Sequence, residues 1–221
     1  TCEMRTILET RRLILRELCP NDFHEVCKLL QDNEVMYAYE GAFNGTEVRE
    51  WLDRQIKRYA EDKVGLWGAV LKENGELIGQ CGITMQPYRE QTVPEIGYLL
   101  RKNFWHNGYA TEAARSCADY ASHILGIKHI YSIIRDNNLP SQGVAKRIGM
   151  TPGDTIVKHY RGIDMPHIVF SMTLGELTNF GGITRSIRCS EANETSRNKQ
   201  LDEPKVSKVR DRAFLPEPQT L

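Results

Sequence analysis

The sequence lacks a long apolar run. None of its 221 residues fall in a stretch approaching the roughly 18–20 apolar residues that a membrane-spanning helix needs. A basic segment followed by an apolar run, the mark of a secretory signal, is absent from the amino-terminal region. Net charge is missing too: 29 Lys and Arg balance 29 Asp and Glu. A chain without a basic excess has no electrostatic reason to take nucleic acid or an anionic membrane as its main partner, so neither is expected. Cysteine pairs of the C-x-x-C kind are absent as well. Cys2, Cys19, Cys27, Cys81, Cys117 and Cys189 are scattered, and several fall on apolar faces where a free thiol acts as a small hydrophobe. Free thiols in a reducing, cytoplasmic setting are expected, with no metal. Neither G-x-x-x-x-G-K-[ST] nor G-x-G-x-x-G occurs, which disfavours a P-loop NTPase and a dinucleotide-binding site.

What is present is an ordinary globular composition, 40% hydrophobic and 26% charged, in two regimes. Residues 1–174 alternate periodic segments with turn signals and are expected to form one domain. Residues 175–221 are polar, mixed in charge and poor in large apolar side chains. Such a segment buries too little apolar surface to offset its ordering entropy, so a largely disordered tail is expected.

Within the first regime "RRLILREL" (Arg11 to Leu18) alternates as a strand. "PNDFHEVCKLLQD" reads as a helix capped by Asn21 or Asp22, and "TEVREWLDRQIKRYAEDK" as a second helix with Thr46 as cap. Two β-rich runs flank Glu73-Asn74-Gly75-Glu76, and Asn-Gly is the strongest short hairpin signal. "VPEIGYLLRK" is a further strand, followed by a helix that begins near Gly108. "HIYSIIRD" is a β-branched strand. "LPSQGVAKRIGM" is a short helix with Asn137 or Asn138 before it and Gly149 at its end. Two closing runs around Gly162-Ile163-Asp164 form a second hairpin. Hairpins early and late, with helix-linked strands between, specify a mixed-sheet α/β (α+β) layer protein.

The stretch "FWHNGYATEAARSCADYA" (Phe104 to Ala121) carries the chemistry. A strand, a glycine-bearing turn and a helix start follow one another. The free N–H groups of a helix's first turn, with its dipole, favour an anion there, and Gly108 permits a positive φ or a close approach to the backbone. Ala110, Ala113, Ala114, Cys117, Ala118 and Ala121 give the helix a narrow small-residue face. The same features also suit a helix that does nothing but pack tightly.

The segment resembles motif A of the GNAT superfamily of acyl-CoA-dependent N-acetyltransferases. The pattern [QR]-x-x-G-x-[GA] falls on Trp105-His106-Asn107-Gly108-Tyr109-Ala110, and "WHNGYATEA" is similar to the W-G-x-G-Y-A-T-E-A run of the subgroup that acetylates ribosomal-protein N-termini. "ILETRRLILREL", "ELIGQCGI", "EIGYLLRKNFW" and "DNNLPSQGVAKRIGM" resemble the subgroup's other segments, in order, over about Met4 to Leu174. The resemblance implies a mostly antiparallel sheet with a splayed central parallel pair and helices on both faces.

It also implies acetyl-CoA as cosubstrate, transfer to a primary amine (a protein N-terminus or a small molecule) in a ternary complex, and no acyl-enzyme. The pantetheine arm would meet the main chain of Tyr98, Leu99 and Leu100. The pyrophosphate would meet the N–H groups of His106, Asn107, Gly108, Tyr109, Ala110 and Thr111. Asn138 and Ser141 match cofactor ligands, and Lys146 stands where it could approach the cofactor or simply face solvent. Glu95 matches a general base, its alternative being a strand-edge glutamate in water. Ser141 matches a proton donor to the CoA sulfur, its alternative being a cap or helix-surface serine. Tyr37, Tyr39, Phe43 and Trp51 would shape the amine pocket or pack, Glu40 could hold a cationic substrate, and His159 and His167 would line the acceptor side or lie on the surface.

Two residues depart from the pattern: His106 replaces the usual glycine, and Ala145 stands where many relatives of this kind carry a tyrosine acid. These departures keep open a non-catalytic CoA-binding sensor or interaction module of the same fold. Composition leaves monomer or homodimer open.

Overall fold

The computed structural model describes residues 4–175. The expected tail beyond Gly175, residues 1–3, and with them Cys2 and Cys189 lie outside the described residues.

Eight strands form one sheet in the order β1-β2-β3-β4-β5-β6-β8-β7. They are β1 (Thr6–Glu9), β2 (Leu13–Arg16), β3 (Leu66–Leu71), β4 (Leu77–Tyr88), β5 (Gln91–Leu100), β6 (His129–Arg135), β7 (Thr151–Tyr160) and β8 (Ile163–Thr173). Every neighbouring pair is antiparallel except β5 and β6, which are parallel. Four helices cover the two faces: α1 (Phe23–Leu30), α2 (Gly45–Glu61), α3 (Tyr109–His123) and α4 (Leu139–Ile148). α3 serves as the crossover between the parallel strands, because two parallel neighbours cannot be joined by a tight turn. The mixed sheet with a central parallel pair agrees with the expectation.

The local reasons for these elements are mostly those read from the sequence. Gly149 ends α4 in the left-handed region. Arg161 and Gly162, at φ 49° and 75°, form the two-residue turn between β7 and β8, since the twist of a hairpin favours positive φ at both turn positions. The turn thus sits one residue earlier than expected. α2 is capped by Asn44 and not by Thr46: Asn44 accepts from the Glu47 N–H, and Glu47 returns a bond to the Asn44 N–H. That reciprocal box satisfies two otherwise orphaned donors, which a threonine one turn position inside the helix cannot do. β1 was not expected from the sequence.

Large side chains fill the layers between sheet and helices. Trp51, Trp67, Leu13, Leu15, Leu52 and Ile78 are among those fully buried. The alanine face of α3 behaves as its composition dictates: Ala113, Ala114, Cys117, Ala118 and Ala121 are all buried. Cys117 meets Cys81 of β4 with their Sγ atoms 3.6 Å apart, both as free thiols. Among the described residues no helix is long and apolar enough to cross a membrane.

Candidate active site

β5 and β6 pair at a single register position, Glu95 opposite Tyr131. Beyond it the ladder stops, and side chains take over its bonds. The Ile133 N–H donates to Oε1 of Glu95 at 3.0 Å. Ser132 Oγ donates to the Ile96 carbonyl at 2.8 Å. Each satisfies a main-chain group that a continuing ladder would have used, so the strands separate without orphaning them. Glu95 is buried at 0% exposure. It is therefore not a solvated strand-edge glutamate: its carboxylate stands where the ladder ends, on the side toward the carboxyl ends of the two strands, where α3 and α4 also begin.

α3 enters this end through the quoted turn. His106 and Gly108 both have positive φ, 60° and 77°. The loop therefore keeps, with histidine, a conformation that glycine favours, at a cost of about 1–2 kcal/mol for a residue with a Cβ. Gly108 is the N-cap of α3, so it bonds no N–H through a side chain. A Cβ at Gly108 would meet only the Arg12 guanidinium, 3.6 Å away. Space beside the backbone is thus open, and the first-turn N–H groups of α3 have the geometry that suits an anion.

Arg12 was not singled out in the sequence. Its Nε pairs with Glu112 Oε2 at 2.7 Å, and its own N–H and the Thr10 hydroxyl donate to Glu112 Oε1 at 2.8 and 2.6 Å. Its guanidinium also lies 4.2 Å from the centre of the Tyr109 ring. Burial alone would raise the Glu112 carboxyl, but the bonds from Thr10 and Arg12 outweigh it and hold it below the ordinary value. This cluster ties the start of α3 to the β1–β2 turn and places a cation beside Gly108. Asn107 Nδ2 donates to the Trp105 carbonyl at 2.8 Å, and Thr111 Oγ1 accepts from Arg147 at 3.1 Å. These bonds shape the loop and lash α3 to α4. Exposed His106 and half-buried Ala110 border the same turn; Lys146 is exposed on α4.

α4 begins at Asn138, whose Oδ1 accepts from the Ser141 N–H at 3.3 Å and from the Tyr37 hydroxyl at 3.2 Å. Ser141 is fully buried, and its Oγ has no hydrogen-bond partner. A buried hydroxyl left without a partner costs free energy, so Ser141 is neither a helix-surface serine nor a cap in this fold. Tyr98 donates its hydroxyl to the Ser141 carbonyl at 2.6 Å. Burial pushes the Tyr98 phenol well above its ordinary value, which keeps it a neutral donor. Tyr98, Leu99 and Leu100 all point their side chains into the core. Any contact they make with a ligand comes from the main chain, on the β5 edge that β6 no longer covers.

The acceptor-side residues are redistributed. Trp51, Tyr39 and Phe43 are buried at 0%, 7% and 7% exposure. They belong to the core cluster, Trp51 on the apolar stripe of α2 and Tyr39 and Phe43 in the segment before it. Glu40 is committed to Arg135 at 2.5 Å. His159 pairs with Asp164 on the exposed closing hairpin. His167 is buried beside Arg135 on the neighbouring strand, and burial lowers its pKa to about 4. Tyr37, through its hydroxyl on Asn138, reaches the site.

The geometry thus joins an anion-suited helix start, an uncovered strand edge, a buried carboxylate and a buried free hydroxyl. Comparison with known proteins bears on the family and the fold. The chain is 39% identical over 155 residues to the uncharacterized protein YkkB of Bacillus subtilis, covering 70% of this chain and 90% of that one. It is 29% identical over 144 residues to the uncharacterized N-acetyltransferase YnaD of the same organism, covering 65% and 81%. Among solved structures it superposes on the ribosomal L7/L12 α-N-protein acetyltransferase RimL in complex with coenzyme A. There the TM-score is 0.65 at 15% identity, over 77% of this chain and 98% of that one. The profile of the acetyltransferase (GNAT) domain matches residues 12–151, and with it the sheet, the splayed pair and the glycine turn have one explanation: the chain belongs to the GNAT acetyltransferase family.

Proposed function

We propose that the chain transfers the acetyl group of acetyl-CoA to a primary amine by direct attack of the amine on the thioester. The observation that carries this reading is a pair of buried polar groups, the Glu95 carboxylate where the ladder ends and the partnerless Ser141 hydroxyl in the helix that follows β6. Attack by an amine releases a proton, and departure of a thiolate consumes one. Glu95 takes the proton, directly or through a water. Ser141 presents its hydroxyl to the departing sulfur. A main-chain N–H near Tyr98 or Leu99 supplies the donor for the oxyanion.

The diphosphate of the cosubstrate lies on the turn from His106 to Thr111, with Arg12 as an added cation, and its arm runs along the open edge of Tyr98, Leu99 and Leu100. Asn138 fixes the first turn of α4 for this contact. No cysteine nucleophile is needed: Cys81 and Cys117 are core thiols. The neighbour named for ribosomal L7/L12 α-N-protein acetylation supports a protein N-terminus as acceptor; a small-molecule amine suits the same chemistry.

Calorimetric titration of acetyl-CoA into the wild type and Gly108→Val, followed by thiol release with a panel of N-terminal peptides, polyamines and amino sugars, tests the reading. Binding lost in the variant and thiol released with one class of amine is the expected result. Binding without release from any amine would favour a sensor, and no binding would remove the reading altogether.

A further inference from the structure

β8 delivers the chain to the rim of an apolar groove. The strand runs antiparallel to β6, and its last pairs are Met172 with Ile130 and Thr173 with His129. Beyond them the Leu174 N–H donates to the Lys128 carbonyl at 2.8 Å. The chain therefore passes on to residues 176–221 beside the start of β6. Lys128 stands on the rim of a groove of about 470 Å³. The walls are Val64 after α2, Ile83 and Met85 of β4, Pro94 of β5, and Leu125 and Ile127 after α3. This is not the site built above: Pro94 precedes Glu95, and successive residues of a strand point to opposite faces. Met85 and Leu125 are 38% and 36% exposed, next to an Ile83 that is wholly buried. A single exposed apolar side chain is ordinary, whereas a contiguous set lining a groove marks a surface that gains by being covered.

We propose that the segment from Leu177 to Ile183 of the same chain docks in this groove, with Leu177 and Phe180 as its anchors. Reach is the first argument. An extended chain advances about 3.3 Å per residue, so Leu177 and Phe180 can lie up to roughly 10 and 20 Å from Leu174, which is itself bonded to a residue of the rim. Pattern is the second. Leu177, Phe180 and Ile183 recur at every third position, ahead of the polar stretch that follows. Charge is the third. Glu176 and Arg185 flank the apolar run, and the rim offers a cation and an anion to match them, Lys128 and Asp62. A segment tethered at the rim also has an effective concentration in the millimolar range, which favours it over a second copy of the chain at ordinary protein concentrations.

The test is limited trypsin digestion of the full chain, read by mass spectrometry. Cleavage after Arg185 requires the neighbouring residues to leave the groove, so its rate follows the population of the undocked state. Cleavage after Lys205, well beyond the anchors, is the internal reference. Phe180→Ser removes an anchor, and Leu125→Asp spoils the groove without touching the segment. In both variants cleavage after Arg185 should accelerate by about tenfold relative to cleavage after Lys205, at unchanged Tm. Met85→Asp supplies a second disruption of the groove should Leu125→Asp melt early. The same ratio in the wild type and in all the variants would overturn the proposal. Acceleration by Phe180→Ser alone would overturn it too, by placing the segment elsewhere. Protection that grows with protein concentration, together with a dimer in light scattering that the groove variants abolish, would give the groove to a second copy and overturn docking within the chain.

Discussion

Glu95 Oε1 and the Ile133 N–H, 3.0 Å apart on adjacent parallel strands, stand where a main-chain ladder bond would otherwise lie. One carboxylate thus stands where the pairing of the strands ends. The proposal gives the same side chain a chemical role, and variants can separate the two.

Glu95→Gln keeps an oxygen acceptor for the Ile133 N–H, whereas Glu95→Ala leaves that buried donor without one. The glutamine variant should be more stable than the alanine variant by about 1–3 kcal/mol. Urea denaturation of the two side by side measures the difference. Equal stabilities would mean that the N–H finds water or another acceptor when the strands part.

Glu112 collects three donors from Thr10 and Arg12. Glu112→Gln retains one oxygen and turns an amide toward Arg12, and should destabilise the fold by about 1–3 kcal/mol at neutral pH. The folded carboxyl lies below its unfolded value. Its contribution is therefore complete above the ordinary glutamate range and is lost as pH falls through the lowered folded value. The difference between wild type and variant in thermal melts should shrink below about pH 4.

His167 carries the opposite protonation chemistry with the same direction in pH. It is lowered to about 4 in the folded chain, so between an unfolded value of about 6.5 and that point the unfolded chain binds the proton and the folded one does not. Stability should be complete above about pH 6.5 and fall by on the order of 3 kcal/mol as pH drops toward 4. His167→Gln should flatten this slope in pH-dependent denaturation. A slope that persists in the variant would assign it to other groups.

His106 adopts φ 60° where glycine would be unstrained. His106→Gly should leave stability unchanged or raise it by up to about 1 kcal/mol, the relief of strain being offset by a freer unfolded chain. Acetyl-CoA affinity should be retained or tightened. A loss of affinity would show instead that the histidine side chain holds a phosphate.

Much of this was legible locally. Gly108 before α3, Asn138 and Gly149 at the ends of α4, and the Asn74-Gly75 turn are short-range signals, and each falls where the chain needs it. β1 was missed because Thr6–Glu9 is four residues long, too short to show alternation. Asn44 displaced Thr46 because both can cap, and only the reciprocal bond with Glu47 decides between them. Trp51, Tyr39 and Phe43 read equally as pocket or core until α2 and the segment before it are packed on the core. The contacts of Tyr37 with Asn138 and of Arg12 with Glu112 span 101 and 100 residues. No periodicity or spacing carries such pairings; they follow from the order of strands in the sheet.

The most direct test of the account is the single-turnover rate of acetyl transfer by Glu95→Gln, once an acceptor amine is in hand, with acetyl-CoA affinity measured on the same protein. The account predicts unchanged affinity and a rate lowered by about 10²–10⁴-fold, the usual contribution of a positioned base. A wild-type rate in this variant would contradict it, and would leave Glu95 as no more than the residue that ends the ladder.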